Sequence, residues 1–259
     1  MPISRLTAML HSDPPPFPPT LLYNEGWLLR LVIDCFATYA IPGHPLSVPS
    51  AARWFSEALL PSPFLARYQG DPLAESWTHA DGAIGHFGIG RETKTGLSLL
   101  PEAHHLAIIE AKLFSLLSSG ITHAPYYDQA ARTVACIAEV LRRADRHPAD
   151  FSRMGFAVLA PQSQISAGIF DDPLNRDSIR RKVERRVAGY DGEKDRWYAE
   201  WFEPTLERIE IDVFSWEDLL GLIAAQDVPS ADDLHEFYDR CIHHNRPPHA
   251  GARRVTPKS

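Results

Sequence analysis

Cysteine is scarce. Cys35, Cys136 and Cys241 are the only three in 259 residues, they lie far apart, and no CxxC pair occurs. That excludes a disulfide framework and a cysteine-rich metal module, and it suits reduced thiols in a cytosolic protein, two of them on apolar helix faces. No apolar run approaches the length of a membrane span, and the opening Met1-Pro2-Ile3-Ser4-Arg5 lacks the basic start and apolar block of a secretory signal. A cytoplasmic protein with no membrane partner is therefore expected. Positive charge is also short: 26 Lys and Arg stand against 33 Asp and Glu, a formal net charge of -7. No global basic field draws the chain to nucleic acid, so such contact would need a local patch or a partner subunit. The glycines between Gly85 and Gly96 are not followed by Gly-Lys-Ser/Thr, which argues against a phosphate loop. No Gly-x-Ser-x-Gly elbow supports a serine hydrolase. Internal repeats and low-complexity blocks are missing too.

What remains is ordinary for a globular protein: 44% hydrophobic and 23% charged residues, enough chain to bury a sizeable core. The expected organisation is a proline-rich leader over 1–19, a single α/β domain over 20–244 and a flexible basic tail over 245–259. The leader, Asp13-Pro14-Pro15-Pro16-Phe17-Pro18-Pro19, cannot be helical and reads as a stiff extended segment, or as a ligand for an SH3-like partner.

Apolar spacings of three, four and seven predict a helix from Thr20 to about Tyr39, closed by Pro42-Gly43-His44-Pro45. A second helix is expected over Pro49 to Leu60, with Trp54, Phe55, Ala58 and Leu59 on one side. Trp77 to Ile89 is broken by glycines, as strands are where they turn or bulge, and Gly96 to Leu100 reads as the returning strand. After a small-residue loop over Leu116 to Ala124, a long helix runs from Pro125 to about Ala144. Gly155 to Ala160 is a buried-strand run, Asp177 to Phe202 a solvated helical region of mixed charge, and Ile209 to Val213 an alternating strand. Ser215 caps the next helix, with Asp218 three residues on. Asp227 to His243 supplies the last one.

The chemistry centres on Leu106-Ala107-Ile108-Ile109-Glu110-Ala111-Lys112-Leu113-Phe114. A continuous apolar run of this length reads as a strand buried on both faces, and strand geometry then points Glu110 and Lys112 to one side. An acid and a lysine are costly to bury unless they pair or meet a ligand. Upstream, Thr78-His79-Ala80-Asp81-Gly82 sets a carboxylate ahead of a short strand. Downstream, Gln129 and Arg132 lie three apart on one helix face. Plainer readings stand beside these. Glu110 and Lys112 form a structural pair, Asp81 starts a turn before Gly82, and Gln129 is an exposed first-turn residue. Arg132 reads as a salt-bridge or phosphate-positioning residue. His104-His105 reads as a surface turn. Cys241, His243, His244 and His249 could hold zinc but lack finger spacing, and a polar helix end is the simpler account.

An Asp, then Glu-x-Lys on the adjacent strand, then Gln on the following helix resembles the PD-(D/E)XK, restriction endonuclease-like, nuclease superfamily. The resemblance covers about Trp77 to Leu141, with Ala80 where the name-giving proline would stand and a long interval between Asp81 and Glu110 that must hold an extra hairpin. It implies a mixed central sheet of four or five strands flanked by helices. It also implies a Mg²⁺- or Mn²⁺-dependent nuclease hydrolysing DNA phosphodiester bonds in a restriction, phage-defence or repair setting. Asp81, Glu110 and the Ala111 carbonyl would hold the metal. Lys112 would orient or deprotonate the attacking water, and Gln129 would hold that water or a phosphate oxygen. An acid from the first helix often completes such sites. Glu25 is preferred to Glu57 for that place, although the helix dipole alone favours an acid there. Two other classes remain open: a catalytically silent binding or scaffold subunit, and a metal-dependent hydrolase of a small phosphate ester. A partner protein or a second copy of the chain is compatible with each.

Overall fold

Among the described residues seven strands form: β1 (Arg53–Leu60), β2 (Thr78–Gly85), β3 (Phe87–Ile89), β4 (Leu97–Leu99), β5 (His105–Ala111), β6 (Arg153–Ala160) and β7 (Glu210–Ser215). The computed structural model in which they are seen describes residues 9–247, apart from 11, 13, 40, 42, 121–123 and 227–230. Part of the proline-rich leader, the segment 227–230 at the start of the last expected helix, His249 and the tail from 248 onward thus lie outside the described residues. Five of the strands make one sheet in the order β1-β2-β5-β6-β7, and β3 and β4 pair as a separate hairpin. β2 runs antiparallel to both β1 and β5, whereas β6 and β7 run parallel to β5. The architecture is mixed α/β, as the sequence pattern leads one to expect.

The helices divide between the two faces. α1 (Glu25–Tyr39) is followed in the chain by α2 (Gln129–Arg143), α3 (Gln162–Ser166) and α4 (Arg176–Ala188). Then come α5 (Asp195–Trp197), a wider π-type turn over Tyr198–Phe202, α6 (Glu203–Arg208), α7 (Trp216–Ala224) and α8 (Ala231–Asn245). Leu28, Leu29 and Ile33 of α1, Trp216 and Leu220 of α7 and Tyr238 of α8 form one core with Ala107, Ile109 and Ala111 of β5. Ala131, Ala135 and Ala138 of α2, Val183 of α4 and Leu206 of α6 form the other, with Leu106 and Ile108 of β5. Strict alternation along β5 therefore sends its even-numbered residues toward α2. The small face of α2 lets that helix lie close on the sheet. Ser215 accepts from the Asp218 N–H at 2.9 Å and so starts α7.

Three expectations are corrected. Residues 53–60 are a strand, not the end of a helix: β1 pairs with β2 from Arg53↔Gly85 to Leu60↔Thr78. Adjacent aromatics at 54 and 55 suit a half-buried pleated surface, and long-range pairing overrides a weak local helical pattern. His105 is not in a surface turn but is the buried first residue of β5. Arg186, in the mixed-charge region, is buried and ion-paired to Glu75 at 2.9 Å. Between β2 and β3 the chain passes so close to β5 that a Cβ on Gly85 would stand 2.3 Å from the His105 carbonyl oxygen. Only glycine fits there.

Candidate functional site

The site lies where β2 and β5 part. Their ladder runs from Gly85↔Leu106 to Gly82↔Ile109 and stops one step before Asp81 would meet Glu110. β1 is disturbed at the same level. Its register with β2 passes from Ser56↔Gly82 to Ala58↔Ala80, and Glu57, facing Asp81, adopts φ +59°. The faces reverse there as well. Ser56 is bonded by Arg30 of α1, and Gly82 packs under Ile33 and Leu29 of α1, yet Ala58 and Ala80 belong to the core on the α2 side. Regular strands would keep residues two apart on one face. The coupled distortion turns Asp81 away from both faces, toward the edge of β5. Asp81 Oδ2 there accepts from the Ala111 N–H at 2.8 Å, in place of a backbone partner. Asp81 thus sits inside β2 rather than ahead of it, and it starts no turn.

Glu110 points toward α2 and is fully buried. Gln129 Nε2, in the first turn of α2, donates to Glu110 Oε2 at 2.7 Å, and Lys112 Nζ lies 3.6 Å from that oxygen. Glu110 Oε1 is buried with no hydrogen-bond partner. Burial first, then the nearby Asp81 carboxyl, pushes Glu110 well above the usual carboxylate range, while Lys112 and Gln129 pull it back. The two carboxyls are thus near enough for the charge of Asp81 to act on Glu110. Gln129 is fixed in turn, since its Oε1 accepts from the Ser118 N–H at 3.1 Å. Lys112 is held through its backbone: its N–H donates to the Leu159 carbonyl at 2.8 Å, and its carbonyl accepts from Trp216 Nε1 at 2.8 Å. Residue 161 is a proline with no N–H to offer, and the indole takes that place.

Asp81, Glu110, Lys112, Gln129 and the Ala111 backbone therefore come together. Glu25 lies elsewhere, beside Cys241 of α8, whose thiol it helps burial push up. Glu57 is the acid opposite Asp81; its carboxylate reaches Arg30 at 3.3 Å and His79 at 4.0 Å. Mistaking β1 for a helix hid that position. A recess of about 240 Å³ opens alongside, lined by Trp77, His79, Asp81, Gln129 and Arg132 among others.

As a donor set the pair suits a hard cation. Two carboxylates meet, one of their buried oxygens has no partner, and the Ala111 carbonyl leaves the strand on the same side as the N–H that Asp81 accepts. Among the described residues no group of three or more His, Cys, Asp or Glu side chains could hold a metal. Mg²⁺, which keeps several waters and takes one or two carboxylates, does not require one. No helix among them is long and apolar enough to cross a membrane. No protein-family model, curated protein or solved structure matches the chain.

Proposed function

We propose that the chain is a Mg²⁺-dependent nuclease that hydrolyses DNA phosphodiester bonds at the Asp81–Glu110 site. The supporting observation is the convergence of two acids at a split in the sheet, with a lysine ammonium 3.6 Å from Glu110 and one Glu110 oxygen buried without a partner. Asp81, Glu110 and the Ala111 carbonyl would hold the ion. Such an ion polarises a phosphoryl oxygen and lowers the pKa of a bound water. The remaining work falls to this chain's own groups. Lys112, anchored through both backbone groups, presents an ammonium that orients the attacking water or offsets charge on the phosphorane-like transition state. Gln129 fixes Oε2 of Glu110 and so leaves Oε1 for a ligand. DNA as the substrate follows from the resemblance to the PD-(D/E)XK superfamily.

The small recess beside Asp81 and the net charge of -7 favour a second reading, a metal-dependent hydrolase of a small phosphate ester. The test is incubation of the full chain with plasmid, single-stranded DNA and nucleotide monoesters in Mg²⁺ or Mn²⁺, beside Glu110→Ala and Lys112→Ala. Cleavage of DNA by the wild type, reduced at least about 100-fold in both variants, is expected. Equal cleavage by all three proteins removes the assignment. Release of phosphate from the monoesters alone transfers it to the second reading, and no turnover of any substrate leaves a binding subunit.

A further inference from the structure

Arg132 is the one group at this site whose chemistry the carboxylate pair does not use. It lies one turn beyond Gln129 on α2 and lines the same recess. Its Nε is buried and has no hydrogen-bond partner. Glu75, a buried acid lining the same recess, is already engaged: its Oε1 accepts from Arg186 at 2.9 Å, and its Oε2 from Ser62 at 3.1 Å. Glu75 feels Arg132 through space, but no ion pair joins them among the described residues. Arg186 makes an instructive contrast, because it is equally cationic and lies between its carboxylate and the Phe64 and Tyr190 rings. A guanidinium left with a buried, unused N–H is costly unless an anion arrives. Its fork of donors matches a phosphate.

We infer that Arg132 is a phosphate anchor, and that the recess takes one unpaired nucleotide next to the bond cut at Asp81 and Glu110. The inference rests on the phosphoester reading above. The recess, at about 240 Å³, is below the roughly 300–1,000 Å³ of drug-sized pockets, so it encloses at most part of one nucleotide, such as its phosphate and sugar, and a duplex does not fit inside it. Asp81 and Gln129 belong to both the recess and the carboxylate site, so a phosphate on Arg132 would neighbour the reacting one. The exposed His79 offers a flat face on which a base stacks, and Trp77, one face of which is covered by the Arg143 guanidinium at 5.3 Å, lines the recess beside it. The anchor also answers the charge problem of this acidic chain, since it supplies a local cation where no global basic field exists.

Binding in chelator, where nothing turns over, tests this apart from catalysis. Fluorescence anisotropy is followed with a labelled single-stranded oligonucleotide and its blunt duplex, for wild type, Arg132→Met and Arg132→Lys. Expected for the single strand is a loss of about tenfold in Arg132→Met with the salt slope reduced by about one, a smaller loss in Arg132→Lys, and weaker binding of the duplex throughout. Arg132→Met should unfold at or above the wild-type temperature, and millimolar inorganic phosphate should raise the unfolding temperature of the wild type only. Unchanged affinity and salt slope in Arg132→Met overturn the anchor, and tighter binding of duplex than of single strand overturns the unpaired nucleotide. An Arg132→Met protein that unfolds well below wild type, with no phosphate effect on the wild type, makes Arg132 structural. Arg132-dependent binding without any metal-dependent cleavage defeats the nuclease reading and leaves the anchor standing. Cleavage by Arg132→Met at an unchanged KM does the reverse.

Discussion

The two ends of β5 bury an ionisable group each, and they do so to different effect. At the start, burial pushes His105 down to about 4, helped by Arg153, His86 and His104 and opposed by Glu210. At the finish, burial pushes Glu110 up. In both cases desolvation disfavours the charged form, which lowers the imidazole and raises the carboxyl. Their neighbours differ. Around His105 the side chains are other imidazoles, with His86 and His104 ring centroids 4.2 Å apart, and an arginine already paired to Glu210 at 2.7 Å. Around Glu110 stand a second acid, an ammonium and an amide donor, all directed at one point. A shifted pKa marks burial, whereas convergence of complementary groups marks a site.

The sharpest way to break this contrast is to titrate a divalent ion. Because burial raises Glu110, its proton competes with an incoming ion, so Mn²⁺ affinity should rise with pH and binding should release protons. Calorimetry in buffers of different ionisation enthalpy reads both. Glu110→Gln and Asp81→Asn should abolish binding, while His105→Gln should leave it untouched. Binding that is independent of pH, or that survives Glu110→Gln, would make the two ends equivalent.

The next effect belongs to the other end. Folded His105 titrates near 4, against a model-compound value of 6.5. The unfolded chain therefore binds the extra proton first as pH falls. Stability is complete above about pH 6.5 and is lost progressively as pH drops toward 4, by up to about 3 kcal/mol from this residue alone. Glu110 contributes in the opposite sense. Its folded pKa is raised, so its contribution is complete below the ordinary carboxylate range and is lost as pH climbs through the folded pKa. Chemical unfolding of the metal-free chain from pH 4 to 8 should show His105→Gln flattening the acid side and Glu110→Gln the alkaline side. An acid side unchanged by His105→Gln would mean that the three histidines open before the strand does.

How much of this was legible in the sequence depends on range. β5, β6 and α2 announced themselves through apolar runs and small residues, because burial on both faces leaves its mark in every position. The nearness of Glu110 to Lys112 followed from strand spacing, whereas Gln129 joined them only through the resemblance to the PD-(D/E)XK superfamily. What stayed hidden was whatever one strand imposes on another. Residues 53–60 carry no signal of their pairing with β2, and nothing at Asp81 foretells that β1 and β2 reverse faces together there. The choice between Glu25 and Glu57 hung on that hidden pairing. His105 was hidden for a related reason, since its burial comes from the chain folding back over Gly85.

The smallest effect sharpens the acid end. Glu57 pairs with Arg30 on the surface, the two side chains being 49% and 26% exposed, and such a pair contributes about 0–1 kcal/mol. Its φ of +59° inside a strand costs about 1 kcal/mol or more, a cost glycine would not bear. Glu57→Gly should therefore be neutral to stabilising by about 1 kcal/mol in thermal unfolding. If the strain serves to hold Asp81 at the edge of β5, cleavage and Mn²⁺ affinity should fall several-fold in the same variant even as it grows more stable. Glu25→Ala, which removes the acid beside Cys241, should change neither. Full activity in Glu57→Gly with a loss in Glu25→Ala would show instead that the first helix supplies the third acid and that the distortion of β1 is incidental to the chemistry.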